Sequence, residues 1–257
     1  MSEPEITKPK PRHPGIYLLP NLFTTLGMLG GFYAIISAFS GRYVEAAIAV
    51  FIAGLLDGID GRVARLTNTQ SDFGVQYDSL ADLVSFGLAP ALVMYSWSLS
   101  TLKSYGPVVG KIGWAVAFVY AACAAMRLAR FNTQVGVIDK RYFQGLASPA
   151  AAGLMMSYVW TMNDHAVSGA TLAFVSLGVT LCAALLMISK LRYFSFKAKP
   201  ESERMPFLMA PLLMGVIVAL IIDTPRVLFG IAIVYVLSGP LLTIWGLRNR
   251  RSKVAGG

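Results

Sequence analysis

The sequence has few charged residues and few cysteines, and both shortages narrow the possible folds. Only 14% of its 257 residues are charged, whereas 56% are hydrophobic. That balance is unlike a soluble domain and typical of a protein that crosses a membrane several times. The two cysteines, Cys123 and Cys182, fall inside apolar runs, so we interpret them as small buried side chains and expect no disulfide.

Long apolar runs dominate the rest of the chain. A helix crosses a bilayer core with about 20 apolar residues, and the run 17–39 contains no charge. Eight runs predict transmembrane helices at 17–39, 44–66, 76–99, 108–131, 146–162, 171–189, 206–222 and 227–247. The expected fold is all-α, a polytopic integral membrane helical bundle of about eight transmembrane helices in one domain, 15–248. We expect a disordered tail at 1–14 and a basic tail at 249–257.

Acidic residues are fewer than basic ones, and the positions of the basic ones predict an orientation. The chain has 22 Lys and Arg against 13 Asp and Glu, a net charge of +9. If both termini are cytoplasmic, only Arg42, Lys103, Lys111 and Arg226 face outside, as the positive-inside rule requires. We therefore predict cytoplasmic termini and a place in the cell (inner) membrane. Lipid headgroups explain the basicity, and nucleic acid is not expected as a partner.

Four aspartates interrupt the apolar pattern. Asp57 and Asp60 lie near the predicted cytoplasmic end of the second span, and Asp78 and Asp82 lie in the first turns of the third. Spacings of i, i+3 and i, i+4 put each pair on one helix face. If the two faces meet, four carboxylates converge, although a single charged side chain at mid-membrane already costs about 2.5–3.5 kcal/mol.

Such a cluster needs cations, and hard divalent ions suit carboxylate oxygens. Two ions would neutralise four carboxylates, and Mg²⁺ is usually held by carboxylates together with phosphate oxygens of a substrate. We expect Mg²⁺ or Mn²⁺, with two ions per site, because two ions can clamp both sides of a phosphoryl displacement. The predicted cofactor thus points to phosphate chemistry at the cytoplasmic face.

Small residues beside the aspartates suit a nucleotide. Gly58, Gly61 and Ala64 leave one side of the second helix bare, and Arg65 could bind a phosphate bidentately. Gly74 would allow close backbone approach. Small residues also serve helix packing, and two aspartates near a helix end are often interfacial partners of arginine. Four aspartates at these spacings favour the metal site.

These residues form a motif, D-x2-D-G-x2-A-R-x8-G-x3-D-x3-D, that runs from Asp57 to Asp82. It resembles, without a gap, the signature of the CDP-alcohol phosphotransferases. The resemblance implies a helical membrane enzyme, commonly a homodimer, that transfers a substituted phosphoryl group from a CDP-linked donor to an alcohol and releases CMP. The implied metal ligands are Asp57, Asp60, Asp78 and Asp82, and Asp82 would also be the general base. The implied CDP pocket is lined by Asn21, Thr24, Gly61, Ala64, Arg65 and Gly74.

Stretches that flank or overlap the motif resemble one branch of this family, the membrane-integrated phosphatidylserine synthases, which transfer the phosphatidyl group of CDP-diacylglycerol to L-serine. They are PNLFTTLGM at 20–28, DSLADLVSFGLAPA at 78–91, AMRLARFN at 125–132, FQGLASPAAAG at 143–153 and MISKLRYFSFK at 187–197. The last two helices carry little of this signature. One departure is Ala147, where the branch usually has proline; we expect this change to loosen the start of the fifth helix, because proline fixes φ.

The carboxylate of a serine substrate needs a cation. Arg127 and Arg130 are spaced i, i+3 at the cytoplasmic end of the fourth span. Arg130 is our first choice, although such residues also extend to lipid phosphates. The other candidates for the serine pocket are Asn132, Arg127, Phe143, Gln144, Lys190 and Arg192.

Three alternatives stay open at this point. The same chemistry could use glycerol phosphate, inositol or choline as the acceptor, since the motif does not separate these alcohols. A cation transporter could also use the aspartates, but its path would need polar groups at mid-depth or broken helices in symmetric halves. A catalytically inactive scaffold is the third, and the intact motif argues against it.

Overall fold

The computed structural model describes residues 18–67, 71–133, 142–194 and 209–255. The tail predicted at 1–14 lies outside these ranges, as do residues 256 and 257. The described residues are helical apart from one small pair of strands and the turns between elements. The helices before the strand pair are α1 (Leu18–Phe39), α2 (Tyr43–Leu66), α3 (Asp72–Asp82), α4 (Ala89–Trp97) and α5 (Pro107–Thr133). Those that follow are α6 (Ser148–Asp164), α7 (Ala173–Ile188), α8 (Met209–Ile222) and α9 (Thr224–Ala255).

The predicted spans and the observed helices agree closely at most ends. The first two predicted spans, 17–39 and 44–66, differ from α1 and α2 by one residue at their starts. The third is not one regular helix: α3 and α4 are joined by a π-helical turn, Leu83–Leu88, and a 3₁₀ helix, Leu99–Tyr105, follows α4. The last helix continues to Ala255, so most of the basic segment at 249–257 is helical.

The bundle has the character of a membrane protein. Among the described residues, four stretches are long and apolar enough to cross a membrane: Pro20–Phe39, Asp72–Tyr105, Pro107–Thr133 and Thr224–Thr243. Large apolar side chains such as Leu55, Phe118 and Ile221 are exposed on the outside of the bundle. In water that exposure would be unfavourable, whereas in lipid it is expected. The helical membrane bundle expected from the sequence is confirmed.

Small side chains bring α1 against α2 and the π-helical turn. A Cβ atom on Gly30 would lie 3.1 Å from the carbonyl oxygen of Ala49, and one on Gly31 would lie 2.6 Å from Cα of Ser85. Close contact of this kind is how helices associate where lipid removes the hydrophobic driving force. The contact fixes the start of α1 beside the end of α2, where the aspartates lie.

Two short strands, which the sequence pattern did not predict, tie distant segments together. Tyr142–Gln144 (β1) pairs antiparallel with Arg192–Phe194 (β2). Gly145 follows β1 with φ +80°, a conformation that favours glycine. Tyr193 is fully buried, and its hydroxyl donates to the carbonyl of Val236 in α9 at 3.2 Å. The strand pair therefore connects the links after α5 and α7 to the last helix.

The start of α6 keeps its shape without the usual proline. Ala147 has φ −63° and ψ 137°, and proline would fix φ near the same value. Ser148 follows it and is fully buried. Ala147 therefore has the φ that proline would impose, and the looser helix start stays a prediction.

At the end of the bundle away from the aspartates, polar side chains join the segments that connect the helices. Arg226 donates from Nε to Nε2 of His165 at 2.9 Å and pairs with Asp223 at 2.6 Å. This contact joins the α6–α7 and α8–α9 links at one end of the bundle. Both links were predicted to lie outside the cell.

Candidate active site

The aspartates lie where α2 ends and α3 begins. Ser71 is the N-cap of α3, and its Oγ accepts a hydrogen bond from the backbone N–H of Gly74 at 3.0 Å. A serine cap stabilises the first turn of a helix by satisfying one of its free N–H groups. The cap fixes the start of α3, so that Asp78 and Asp82 follow on one face of this helix.

Three carboxylates from the two helices converge. Asp57, Asp60 and Asp78 each offer an oxygen, and these oxygens lie within 4.8 Å of one another. Asp82 joins them, because its carboxyl group is in hydrogen-bonding contact with that of Asp57 and interacts electrostatically with the other two. All four line a small cavity of about 10 Å³, roughly the space of one water-sized sphere. We call these four residues the acid cage.

The acid cage has the composition of a divalent metal site. Its donors are all carboxylate oxygens, the ligands that Mg²⁺ and Mn²⁺ prefer. Asp60 is only 4% exposed and Asp57 and Asp78 are partly buried, so like charges at these distances repel strongly without a cation. The residues present therefore fit a metal ion, and the condition left open by the spacing, that the two helix faces meet, holds for Asp57, Asp60 and Asp78.

Thr24 connects α1 to the acid cage. Its hydroxyl donates to Oδ2 of Asp60 at 2.8 Å, and the pair is buried. The same hydroxyl lies 3.1 Å from the carbonyl oxygen of Pro20. The family resemblance implies that Thr24 lines the CDP pocket, and the structure shows that Thr24 contacts a carboxylate of the cage.

The glycines of the motif leave open space beside the cage. A Cβ atom on Gly58 or Gly61 would meet no other atom within 4 Å. Arg65 is exposed and donates from Nε to the carbonyl of Gly61 at 2.8 Å, so its guanidinium lies along the same side of α2. Ala64 is partly buried on this helix.

Gly74 lies beside the first helix. A Cβ atom there would come within 3.7 Å of Oδ1 of Asn21 and 3.2 Å of Oγ of Ser71. The six positions predicted for the CDP pocket thus lie on α1, α2 and α3, the three helices that converge at the acid cage.

Arg127 lies on the α5 side of the cage. Its charge interacts with that of Asp82, but the two side chains, both in the described part of the chain, form no direct ion pair. Nη1 donates to Oγ of Ser148 at 2.9 Å. Nε is buried and has no hydrogen-bond partner among the described residues. A buried donor of this kind is costly unless a ligand or water satisfies it.

The other serine candidates surround the end of α5. Arg130 donates from Nη2 to Oε1 of Gln144 on β1. Asn132 donates to Oγ of Ser79 at 2.9 Å, which ties α5 to the helix of Asp78. Lys190 is exposed after α7. Phe143 and Arg192 lie on the strand pair, and their side chains are outside the described part.

Two polar residues at this site, Ser79 and Ser148, were not predicted from the sequence. Each accepts a hydrogen bond from a predicted candidate. Serines are common in membrane helices, so the spacing gave no reason to select them.

An apolar groove opens beside the bundle between α2, α6 and α9. It has a volume of about 880 Å³, and its lining includes Phe51, Gly153, Gly230 and Tyr235. Tyr235 lies within electrostatic range of Arg127.

Comparison with known proteins gives one consistent result. Residues 17–187 match the profile of the family described as CDP-alcohol phosphatidyltransferase. A CDP-diacylglycerol–serine O-phosphatidyltransferase of Helicobacter pylori (strain J99) is 36% identical over 220 residues, which cover 86% of this chain and 90% of the relative. A protein of the same name from Bacillus subtilis is 31% identical over 180 residues, 70% of this chain and 91% of the relative. Another from Methanocaldococcus jannaschii is 30% identical over 184 residues, which cover 72% of this chain and 77% of the relative.

Proposed function

Because the chain belongs to the CDP-alcohol phosphatidyltransferase family, we propose that it is a phosphatidylserine synthase. It transfers the phosphatidyl group of CDP-diacylglycerol to L-serine and releases CMP. The observation that carries this proposal is the acid cage, in which one oxygen each of Asp57, Asp60 and Asp78 lies within 4.8 Å of the others beside the open glycine surface. The names of the relatives support serine as the acceptor.

The acid cage would hold Mg²⁺ or Mn²⁺, with two ions per site. Asp57, Asp60 and Asp78 are the proposed ligands, and Asp82 would serve the second ion. When bound, the ions supply positive charge that stabilises the phosphate oxygens of the donor as the bond to CMP breaks. The support from this chain is the donor set, which consists of carboxylates on two helices.

The CDP group would lie against the bare side of α2. Gly61 leaves room for it, since a Cβ atom there meets nothing within 4 Å, and Ala64 continues that surface. Arg65, exposed on the same side, would contact a phosphate. Asn21 and Gly74 would close the pocket from α1 and α3. Thr24 would act beside them through Asp60.

Asp82 would be the general base. The serine hydroxyl is a poor nucleophile at neutral pH, and a carboxylate in hydrogen-bond reach can accept its proton as the new bond forms. The serine oxygen bonds to the phosphorus that carries diacylglycerol, the bond from that phosphorus to the CMP oxygen breaks, and the proton passes to Asp82. No covalent enzyme intermediate is needed.

Arg127 is now the stronger candidate for the serine carboxylate. Its charge interacts with that of Asp82 although the two described side chains form no direct ion pair, and its buried Nε has no partner among the described residues. A serine molecule between them could bind Arg127 with its carboxylate and Asp82 with its hydroxyl. Arg130 would support the pocket through Gln144, and Asn132, Phe143 and Lys190 remain outer candidates.

The groove beside α9 suits one acyl chain of the donor. Its volume of about 880 Å³ lies in the usual range of small-molecule sites, about 300–1,000 Å³. Its lining is apolar, and a hydrocarbon chain is the only abundant ligand in the surrounding bilayer. The headgroup would then reach the acid cage from the membrane side.

We place the enzyme in the cell (inner) membrane as a homodimer, with the acid cage at the cytoplasmic face. The distribution of basic residues supports this orientation, and serine and CMP are both soluble compounds of the cytoplasm. The homodimer rests on the family resemblance alone.

An acceptor panel tests the proposal. The purified chain in lipid nanodiscs receives CDP-diacylglycerol with serine, glycerol phosphate, inositol or choline, and CMP release is measured. We expect CMP with serine and little with the other three. An Asp78→Asn variant controls for contaminating activity. Faster CMP release with another alcohol would contradict the choice of serine, and none with any alcohol would contradict the chemistry.

A further inference from the structure

The helix that carries Asp78 and Asp82 widens directly after Asp82. The π-helical turn Leu83–Leu88 separates α3 from α4. The backbone N–H of Ala89 donates to the carbonyl of Val84, five residues earlier. Single π-helical turns inside α-helices are rare and frequently occur at functional sites.

Pro90 explains why the widening occurs at this point. Proline has no N–H, and its ring clashes with the carbonyl four residues earlier in an α-helix. Here that carbonyl belongs to Phe86, inside the π-helical turn. In a regular α-helix the Phe86 carbonyl would therefore clash with the Pro90 ring, and it would have no N–H donor at position 90.

The hydroxyl of Tyr120 supplies a donor to that carbonyl. Tyr120 lies on α5 and is fully buried, and its hydroxyl donates to the Phe86 oxygen at 3.1 Å. On the opposite side, Ser85 donates to the carbonyl of Gly27 in α1 at 3.1 Å. Hydrogen bonds from two neighbouring helices thus hold the π-helical turn, and water does not reach Tyr120 to replace its hydroxyl.

The π-helical turn decides which way the aspartates face. It adds one residue to a turn, and each residue rotates an α-helix by about 100°. After the turn, Val93 and Met94 of α4 are fully buried in the core, so α4 cannot rotate without exposing them. Before the turn, Asp82 faces Asp57 across the cage. If the turn became α-helical while α4 stayed in place, Asp82 would rotate away from α2.

We propose that Tyr120 is a positioning residue for the acid cage. Through the Phe86 carbonyl it holds the π-helical turn, and the turn keeps Asp82 directed at Asp57. This inference rests on the proposed function, since it assigns to Tyr120 the alignment of the proposed base with the proposed metal ligands.

The test compares two buried tyrosines that each lose only a hydroxyl. Tyr158 on α6 is also buried, and its hydroxyl lies 3.2 Å from Oγ of Ser176, on α7. Tyr120→Phe and Tyr158→Phe are prepared as full chains in nanodiscs, and Mn²⁺ binding is titrated without substrates by the loss of the free-ion spin resonance signal. We expect Tyr120→Phe to weaken Mn²⁺ affinity and lower kcat by about tenfold each, and Tyr158→Phe to change neither.

Pro90→Ala is the second variant, and it releases the same turn by changing the helix itself while the Tyr120 hydroxyl stays in place. Alanine supplies the missing N–H and removes the ring, so the turn can return to α-helical geometry. We expect a melting temperature no lower than that of the parent, together with about tenfold weaker Mn²⁺ binding. A general loss of packing would lower both, so this combination distinguishes positioning from a structural role.

The outcomes separate the two proposals. Equal Mn²⁺ affinity and kcat in Tyr120→Phe and Tyr158→Phe would overturn the role of Tyr120, even if the parent makes phosphatidylserine. If Tyr120→Phe does not fold, the test is Pro90→Ala. Parent-like Mn²⁺ binding in that variant would overturn the positioning role of Tyr120, because that role acts through the π-helical turn. A parent that binds Mn²⁺ but releases no CMP with serine contradicts the proposed function, and the Mn²⁺ titrations still decide the role of Tyr120.

Discussion

The Thr24 hydroxyl donates a 2.8 Å hydrogen bond to Oδ2 of Asp60, and both side chains are buried. One end of α1 is thereby joined to a carboxylate near the end of α2. A neighbour that hydrogen-bonds a metal ligand fixes its orientation, and removing such a neighbour typically costs about 10–100-fold in metal affinity or activity.

Thr24→Val should therefore reduce activity by about tenfold or more. Valine keeps the shape of threonine but leaves the Asp60 carboxylate without this donor, and Thr24→Ser, which keeps the hydroxyl, should remain close to the parent. The measurement is the Mg²⁺ concentration that gives half-maximal CMP release. Thr25→Val is the matched control, because Thr25 is exposed and its hydroxyl contacts Tyr77. An equal effect at both positions would contradict the role of Thr24.

Asp82→Asn tests the proposed general base, which would also serve the second ion, against Asp60, which is proposed as a metal ligand alone. The amide keeps the volume of the side chain but cannot accept the serine proton, so we expect kcat to fall by about 10²–10⁴-fold. Asp60→Asn should instead abolish Mn²⁺ binding measured without substrate. Asp72→Asn serves as the control, since Asp72 is exposed in the first turn of α3. An Asp82→Asn enzyme with parent-like kcat would exclude Asp82 as the base.

Arg127→Lys should raise the KM for serine. Lysine keeps the charge but loses the planar fork that binds a carboxylate at two points, so we expect an increase of about tenfold, or about 1.4 kcal/mol, with little change in the KM for CDP-diacylglycerol. Arg130→Ala should have a smaller effect, because its guanidinium contacts Gln144. If the KM for serine is unchanged in Arg127→Lys but rises in Arg130→Ala, Arg127 does not bind the serine carboxylate and Arg130 is again the first candidate.

Gly230→Leu should interfere with the lipid donor. A Cβ atom on Gly230 meets nothing within 4 Å, and this glycine lines the groove, so leucine would fill space that we assign to an acyl chain. The KM for a long-chain donor should rise several-fold, while a donor with short chains should be affected less. Gly178→Leu on α7 is the control, because a Cβ atom there also meets nothing within 4 Å and Gly178 is not among the residues that line the groove. Equal KM values in the two variants would contradict this assignment.

The sequence predicted those parts of the structure that depend on local patterns. The run 17–39 matches α1 within one residue, because the length of an apolar run sets the length of a membrane helix. Asp57 and Asp60 lie on one face of α2 because they are spaced i, i+3, and Asp78 and Asp82, spaced i, i+4, lie on one face of α3. The spacing therefore predicts each pair of aspartates, whereas the meeting of the two pairs in one cage depends on the tertiary arrangement of α2 and α3.

Other features depend on contacts between distant segments and could not be predicted in this way. The strand pair joins residues 142–144 to 192–194, and neither segment is long enough to indicate a strand alone. The contact of Thr24 with Asp60 could not be predicted either, because it requires the packing of α1 on α2. Pro90 was the one overlooked local signal, since a proline inside the run 76–99 indicates an irregular helix.

Removal of the metal tests directly whether the acid cage acts by holding divalent ions. The purified enzyme is treated with chelator, and CMP release from CDP-diacylglycerol and serine is measured before and after Mg²⁺ or Mn²⁺ is restored, in the parent and in Asp60→Asn. We expect the stripped parent to be inactive, either ion to restore its activity, and neither ion to restore Asp60→Asn. Full activity in the metal-free parent would contradict a cage of carboxylates that acts by holding divalent ions.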